Sequence, residues 1–180
     1  VAELFSPPRF ALAAKAKGYL GLSFDIQQGY DLLKKDVQKQ VNQQLEESRP
    51  ELLVLCPECK HWGGWYRLNQ HKLPMRVQIY NKQVAQKQAD FCVEQELKRG
   101  GRVLIEHPWS SSLWTYPPMA KLIHQMHLCK ANMCAYGLKC PDSGKPLLKP
   151  TGLAASHSDM VSRAHECPGH TCHKVIEGDR

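Results

Sequence analysis

Four side chains with reactive potential fall within six residues of this chain, Cys56, Glu58, Cys59 and His61, in the stretch CPECKH. Two chemistries fit that spacing. Cys-Pro-x-Cys is a common zinc half-site, which would make Cys56 and Cys59 equal ligands of a metal knuckle. Alternatively Cys59 is a nucleophile, with Lys60 and His61 providing the basic setting that lowers a thiol's pKa. A second reactive pair, Glu106 and His107, stands before Pro108. A third group lies in the tail, where Cys167, His170, Cys172 and His173 put four soft or borderline ligands within seven residues. With a partner from Cys129, Cys134 or Cys140, these four are a candidate structural zinc site.

The elements that position these groups begin with an apolar run. Residues 51–55 (ELLVL) lead into the Cys56 turn, and a run of that length bounded by Pro and Gly reads as a buried strand. Residues 1–6 (VAELFS), closed by Pro7 and Pro8, read as a first strand, residues 9–17 as a helix, and residues 18–25, ending on Asp25, as a second strand. Spacing predicts helices over 31–47, capped by Asp31 and ended by Pro50, and over 78–99, with Ile79, Val84, Phe91, Cys92 and Leu97 inward and Gly100 and Gly101 as the stop. Residues 102–106 (RVLIE) form another strand ending on an acid. Further on, a short helix is expected at 117–125, a strand or hairpin entry at 127–138 and a loop at 142–149. The fold expected is α/β, a doubly wound sheet over residues 1–151 with a Cys/His-rich extension over 152–180. Ligands bind such sheets at the carboxyl ends of the strands, where both reactive turns fall.

At 180 residues the chain has one domain's length. A net charge of +7 and a pI near 9.0 favour anionic partners such as nucleic acid. Eight cysteines without a secretory pattern point to a reducing intracellular compartment, nuclear or cytoplasmic, rather than to a disulfide scaffold. No apolar run approaches the roughly 18 residues that span a bilayer, so no membrane partner is expected. The start at Val1, without methionine, suggests a domain of a longer polyprotein.

Taken in order, these motifs resemble the cytosine-carbon-5 DNA methyltransferases, in particular the compact phage and retroelement types. The "(D/E)LFS" opening is matched by Glu3, Leu4, Phe5 and Ser6, the ribose-binding acid by Asp25, and the "PPC" turn by Pro57, Glu58 and Cys59. The "ENV" or "ENP" strand end is similar to Glu106, His107 and Pro108, and the downstream "C-x-YG…KPT" to Cys134, Tyr136, Gly137, Lys149, Pro150 and Thr151. The tail resembles the "C-x-G-x-H-x-H" of related compact proteins. The resemblance implies S-adenosylmethionine as cofactor, held by Phe5, Ser6, Pro7, Asp25 and Pro57, and DNA as substrate, met by His107, Lys149 and Thr151. It also implies Cys59 as nucleophile and Glu106 as the acid that binds the base. The pattern departs from the family in its cofactor loop, where residues 6–9 (SPPR) hold no glycine, and in Glu58 and His107, which replace a proline and an asparagine.

The chemistry asks for these residue types in its own right. Carbon 5 of cytosine becomes nucleophilic when a thiolate adds to the neighbouring ring carbon, and a carboxyl group must hold the ring nitrogen as charge develops. Two other functions fit the same residues: a zinc-stabilised nucleic-acid-binding domain on this fold without methyl transfer, and a zinc-ribbon module built on Cys56 and Cys59. Trp62, Trp65, Trp109 and Trp114 are candidates to stack on a base or on the cofactor adenine, against ordinary core packing. Arg67, Lys72, Arg76 and Lys82 are candidates to track phosphate, against a merely solvated surface.

Overall fold

The structure, a computed structural model, describes residues 1–99, 101–170 and 173–175. Six strands form one mixed, mostly parallel sheet. In chain order they are β1 (Ala2–Leu4), β2 (Leu22–Phe24), β3 (Leu52–Leu55), β4 (Arg102–Pro108), β5 (His127–Asn132) and β7 (Pro150–Ala155). The sheet order is β2-β1-β3-β4-β7-β5, and only β7 runs against its neighbours. A separate two-residue pairing joins β6 (Leu147–Leu148) to β8 (Lys174–Val175). The helices are α1 (Arg9–Lys15), α2 (Lys35–Ser48), α3 (Gly64–Asn69), α4 (Met75–Arg99) and α5 (Pro117–Ile123). None among the described residues is long and apolar enough to cross a membrane.

Side chains alternate across the strands and sort the layers. Leu4, Leu53, Leu55, Val103 and Ile105 join one buried cluster with Val41 and Leu45 of α2, Phe91 of α4 and Met119 of α5. Gln95 donates to Asn42 at 2.9 Å and ties α4 to α2 on that face. Glu3 points the other way, is fully buried and accepts from the backbone N–H of Phe10 (3.3 Å) and Ala11 (2.8 Å). α1 lacks a side-chain cap of its own, so a carboxylate in the middle of β1 supplies it from outside the helix. The helix approaches so closely that a Cβ on Gly21 would stand 2.2 Å from the Ala11 carbonyl oxygen.

Several expected boundaries shift for local reasons. α2 begins at Lys35 rather than at 31, because Asp31 Oδ1 accepts from Leu33 N–H and closes a turn ahead of the helix. It ends where Arg49 takes φ 43°, immediately before Pro50. α4 begins right after Pro74. Its buried side is Ala85, Gln88, Ala89, Phe91, Cys92 and Gln95, while Ile79 and Leu97 are half or more exposed, since only the middle of this 25-residue helix meets the core. The expected loop at 142–149 contains β6, and residues 133–136 form a 3-10 turn after β5. The boundary expected after Thr151 falls inside β7.

Candidate functional site

All the parallel strands end on one rim of the sheet, and the reversed strand begins there. β3 delivers Cys56 to Cys59, β4 delivers Glu106 to Pro108, and Lys149 sits just before β7. The register opposes Pro108 to Thr151, which brings Lys149 Nζ to 3.9 Å from Glu106 Oε1, with both side chains partly exposed. Glu106 and Lys149 act electrostatically on both the Cys56 and the Cys59 thiols, so four groups from three separate segments share one neighbourhood.

The turn after β3 is held by several bonds. Glu58 N–H donates to Gln88 Oε1 of α4 at 3.0 Å, Trp62 N–H to the Cys59 carbonyl at 3.1 Å, and Ser112 Oγ to the Trp62 carbonyl at 3.0 Å. Gln88 was not legible as a functional residue, its only signal being a polar side chain at a helix position that turns out to be buried. The turn leaves some buried polar atoms without a hydrogen-bond partner among the described residues: His61 Nδ1, Trp62 Nε1 and Tyr66 Oη. Buried polar groups are usually satisfied, and these three unmet atoms fall within residues 61–66.

The two cysteines of the turn are unequal. Cys56 is held well above the ordinary thiol range, by burial first and then by the charges of Glu106 and Glu3. Cys59 is exposed as a residue, yet its thiol is also raised, mainly by desolvation of the sulfur and further by Glu106 and Glu58. The expected lowering by Lys60 and His61 is therefore not found. The cation that acts on the thiol is Lys149, and His61 has a lowered pKa from its own burial and so carries little charge at neutral pH.

His107 and Thr151, expected to meet substrate, are both fully buried. The His107 ring packs edge-on against Trp114, centroids 6.0 Å apart, and burial pushes its pKa down to about 4, opposed in part by the Glu58 carbonyl. The sign of its linkage follows. The unfolded chain takes up a proton near pH 6.5 that the folded ring refuses until about pH 4. Stability is thus expected to fall by roughly 1–3 kcal/mol as pH drops through that window. Urea titrations across pH 4–7 check this, with His107→Gln flattening the slope.

Beside the turn lies a cleft of about 330 Å³ whose lining includes Phe5, Asp25, Tyr30, Leu32, Glu58 and Gln88. Asp25 Oδ1 accepts from Gln27 N–H at 2.9 Å, leaving Oδ2 uncommitted among the described residues. Phe5 adopts φ 60°, a left-handed conformation unusual outside glycine, directly after β1. Of the five residues expected to hold cofactor, Phe5 and Asp25 line this cleft. Ser6, Pro7 and Pro57 lie outside its lining; the Ser6 hydroxyl donates to the Pro7 carbonyl at 3.0 Å, and Pro57 is buried.

A second cluster stands where β5 ends on the same rim. Cys134, Cys167, His170 and His173 each offer a ligand atom, all within 4.8 Å of one another. Cys167 Sγ is 3.5 Å from His170 Nδ1 and 3.3 Å from His173 Nε2. Ligands at Zn–S of about 2.3 Å and Zn–N of about 2.0–2.1 Å stand about 3.5 Å apart across a tetrahedron, so this group has the dimensions of a metal site. The two thiols shift in opposite directions: at Cys167 desolvation is outweighed by the N–H groups of His170 and Gly169 and by the Cys134 thiol, so its pKa is lowered, whereas that of Cys134 is raised by burial and by Cys167, so Cys167 ionises first. The segment is anchored by Asn132 N–H donating to the His165 carbonyl (3.0 Å), Tyr136 Oη to the Arg163 carbonyl (2.9 Å), and a Lys130–Glu166 ion pair. Cys134 supplies the upstream partner that spacing alone left open among three cysteines, and Cys172 lies outside the described residues. Among the described residues no metal-type group of three or more includes Cys56 or Cys59. Comparisons with protein-family models, with curated proteins and with solved structures returned no match.

Proposed function

We propose that this chain is a cytosine-carbon-5 DNA methyltransferase of compact type, using S-adenosylmethionine, with Cys59 as nucleophile and Glu106 as the acid that holds the base. The observation that carries the reading is the convergence of Cys59, Glu106 and Lys149, separated by 47 and 43 residues in sequence, at one rim beside the Asp25 cleft. The sheet order, with reversal confined to β7, also favours a doubly wound, methyltransferase-type sheet.

Cys59, as thiolate, would add to the ring carbon next to carbon 5; once carbon 5 carries the methyl group, loss of the carbon-5 proton to solvent water as base would restore the ring double bond, break the S–C bond and return the thiolate. Glu106 would hydrogen-bond the ring nitrogen where charge gathers, and the target base would have to leave its stack to lie between the two groups. Asp25, with its uncommitted oxygen, suits a pair of ligand hydroxyls, and Phe5 offers a ring at the same cleft. The cofactor, when bound, supplies an electrophilic methyl group. Zinc in the Cys134, Cys167, His170, His173 group would be structural, because four protein ligands leave no open position.

Calorimetric titration of the chain with S-adenosylhomocysteine tests the reading. Saturable binding lost in Asp25→Ala is expected, and no detectable heat would sink the assignment. A second reading, a zinc-stabilised nucleic-acid-binding domain without methyl transfer, draws on the raised Cys59 thiol and the glycine-free loop at residues 6–9. It predicts DNA binding with no response to the cofactor product.

A further inference from the structure

Residues 59–89, from the Cys59 turn through α3 into α4, contain no aspartate or glutamate. They carry Lys60, Arg67, Lys72, Arg76, Lys82 and Lys87, six positive charges and so nearly the whole formal net charge of +7. All six are exposed, and among the described residues none is in an ion pair; Lys72 donates only to Asn69 Oδ1 at 2.9 Å. Outside this stretch acidic residues are interspersed with the cations, and Lys34, Lys98, Arg102, Lys130 and Lys149 each have an acidic partner. The field over this lobe is therefore uncompensated from within the lobe.

The same lobe displays large flat and apolar side chains. Trp65 is 79% exposed and Tyr80 62%, with Leu68 and Met75 exposed beside them in sequence. Trp62, three residues earlier, is buried against Tyr116, so core packing accounts for one indole of this segment and leaves the other outside. Along α4, Arg76, Tyr80 and Lys87 recur at i, i+4 and i+11 and share one helix face about 16 Å long. Cations interleaved with exposed aromatic faces match a single strand of nucleic acid, whose phosphates meet the cations and whose unpaired bases stack on the rings. A duplex satisfies the charges but hides its base faces. The lobe is also tied to the nucleophile's turn, through Trp62 N–H to the Cys59 carbonyl at 3.1 Å and Arg67 N–H to the Gly63 carbonyl at 3.2 Å.

We propose that α3 and the first half of α4 form the surface that holds a single-stranded stretch of nucleic acid beside Cys59, with Trp65 and Tyr80 as its stacking platforms. This deepens the DNA reading above by naming the surface and the state of the strand, and its test reads binding alone. The full chain carrying Cys59→Ser is titrated by anisotropy against a labelled single-stranded DNA of about 15 nucleotides, the same sequence as RNA, and the corresponding duplex; a strand of that length exceeds the span of the helix face.

The single strand is expected to bind at least tenfold more tightly than the duplex. Trp65→Ala and Tyr80→Ala should each weaken it roughly tenfold while leaving the duplex unchanged. Combined Arg67→Ala, Lys72→Ala and Arg76→Ala should flatten the slope of log K against log salt by about 2. Equal affinity for single strand and duplex, or no effect of the two aromatic replacements, overturns the proposal and leaves a merely charged surface. RNA preferred over DNA keeps the surface and removes the DNA substrate. Strand binding without any binding of S-adenosylhomocysteine removes methyl transfer alone, and the converse result removes this surface alone. Because Trp65 and Tyr80 are exposed, both variants should keep the wild-type circular dichroism spectrum.

Discussion

Cys59→Ser is expected to lower methyl transfer on the order of a thousandfold or more while leaving the circular dichroism spectrum and the metal content unchanged. A hydroxyl in place of the thiol keeps the shape of the turn, whose bonds run through the Cys59 carbonyl, Glu58 N–H and Gln88. It removes the group that adds to the ring carbon. Loss of metal or of the fold in that variant would instead make Cys59 a structural ligand. The pH dependence of the wild-type chain carries a second, independent mark. The thiol is raised by desolvation and by neighbouring carboxylates, so the thiolate fraction, and activity with it, should climb as pH rises through and beyond neutrality. Lys149 opposes that shift, so Lys149→Ala should move the rising limb to still higher pH, read from kcat/KM across pH 6–10. A pH profile that does not move would exclude Lys149 from this role.

Loss of the metal should have the largest effect on the stability of the C-terminal segment. Protein prepared with zinc is expected to hold one ion per chain, and Cys134→Ser or His170→Ala each to release it, as measured by elemental analysis. Four-ligand zinc sites in small folding units contribute apparent free energies on the order of 10 kcal/mol, far above the few kcal/mol of most point substitutions. Apart from the bond of the buried Asn132 N–H to the His165 carbonyl, the anchoring bonds that remain to residues 163–166 are exposed, including the Lys130–Glu166 pair, and exposed pairs are worth at most about 1 kcal/mol. Chelation should therefore make the tail protease-sensitive before the sheet melts. A zinc-free chain as resistant as the loaded one would show that the cluster is held by packing alone.

How far the sequence exposes such a design depends on the element. The run at Leu52 to Leu55 is legible because an internal parallel strand is covered on both faces and so reads as uninterrupted apolar residues. The acid after β2 and the Cys/His tail are legible because their chemistry is rare in those positions. Other features are set by tertiary partners that local pattern does not contain. Nothing near Glu3 announces that it caps a helix seven residues on, and α4 shows more apolar residues than its core-facing side uses. β6 is two residues long and is set by partners distant in sequence, its pairing with β8 and the bond of Leu147 N–H to the Leu138 carbonyl. The pKa of Cys59 illustrates the same limit, since its sequence neighbours Lys60 and His61 matter less than desolvation and a lysine 90 positions away.

The reversal of β7 has a geometric consequence for evolution of the rim. Parallel strands can offer only residues that follow them, but an antiparallel one offers residues that precede it, as Lys149 does beside Glu106. Its register against β4 then acts as a ruler. Sliding β7 by one position would carry Lys149 about 3.3 Å along the strand axis, away from or deeper into the rim, and turn Thr151 to the opposite face. A single insertion or deletion in residues 141–145, ahead of β6, would leave the ruler undisturbed, whereas one within β7 would uncouple the lysine from the thiol and leave the core composition almost unchanged.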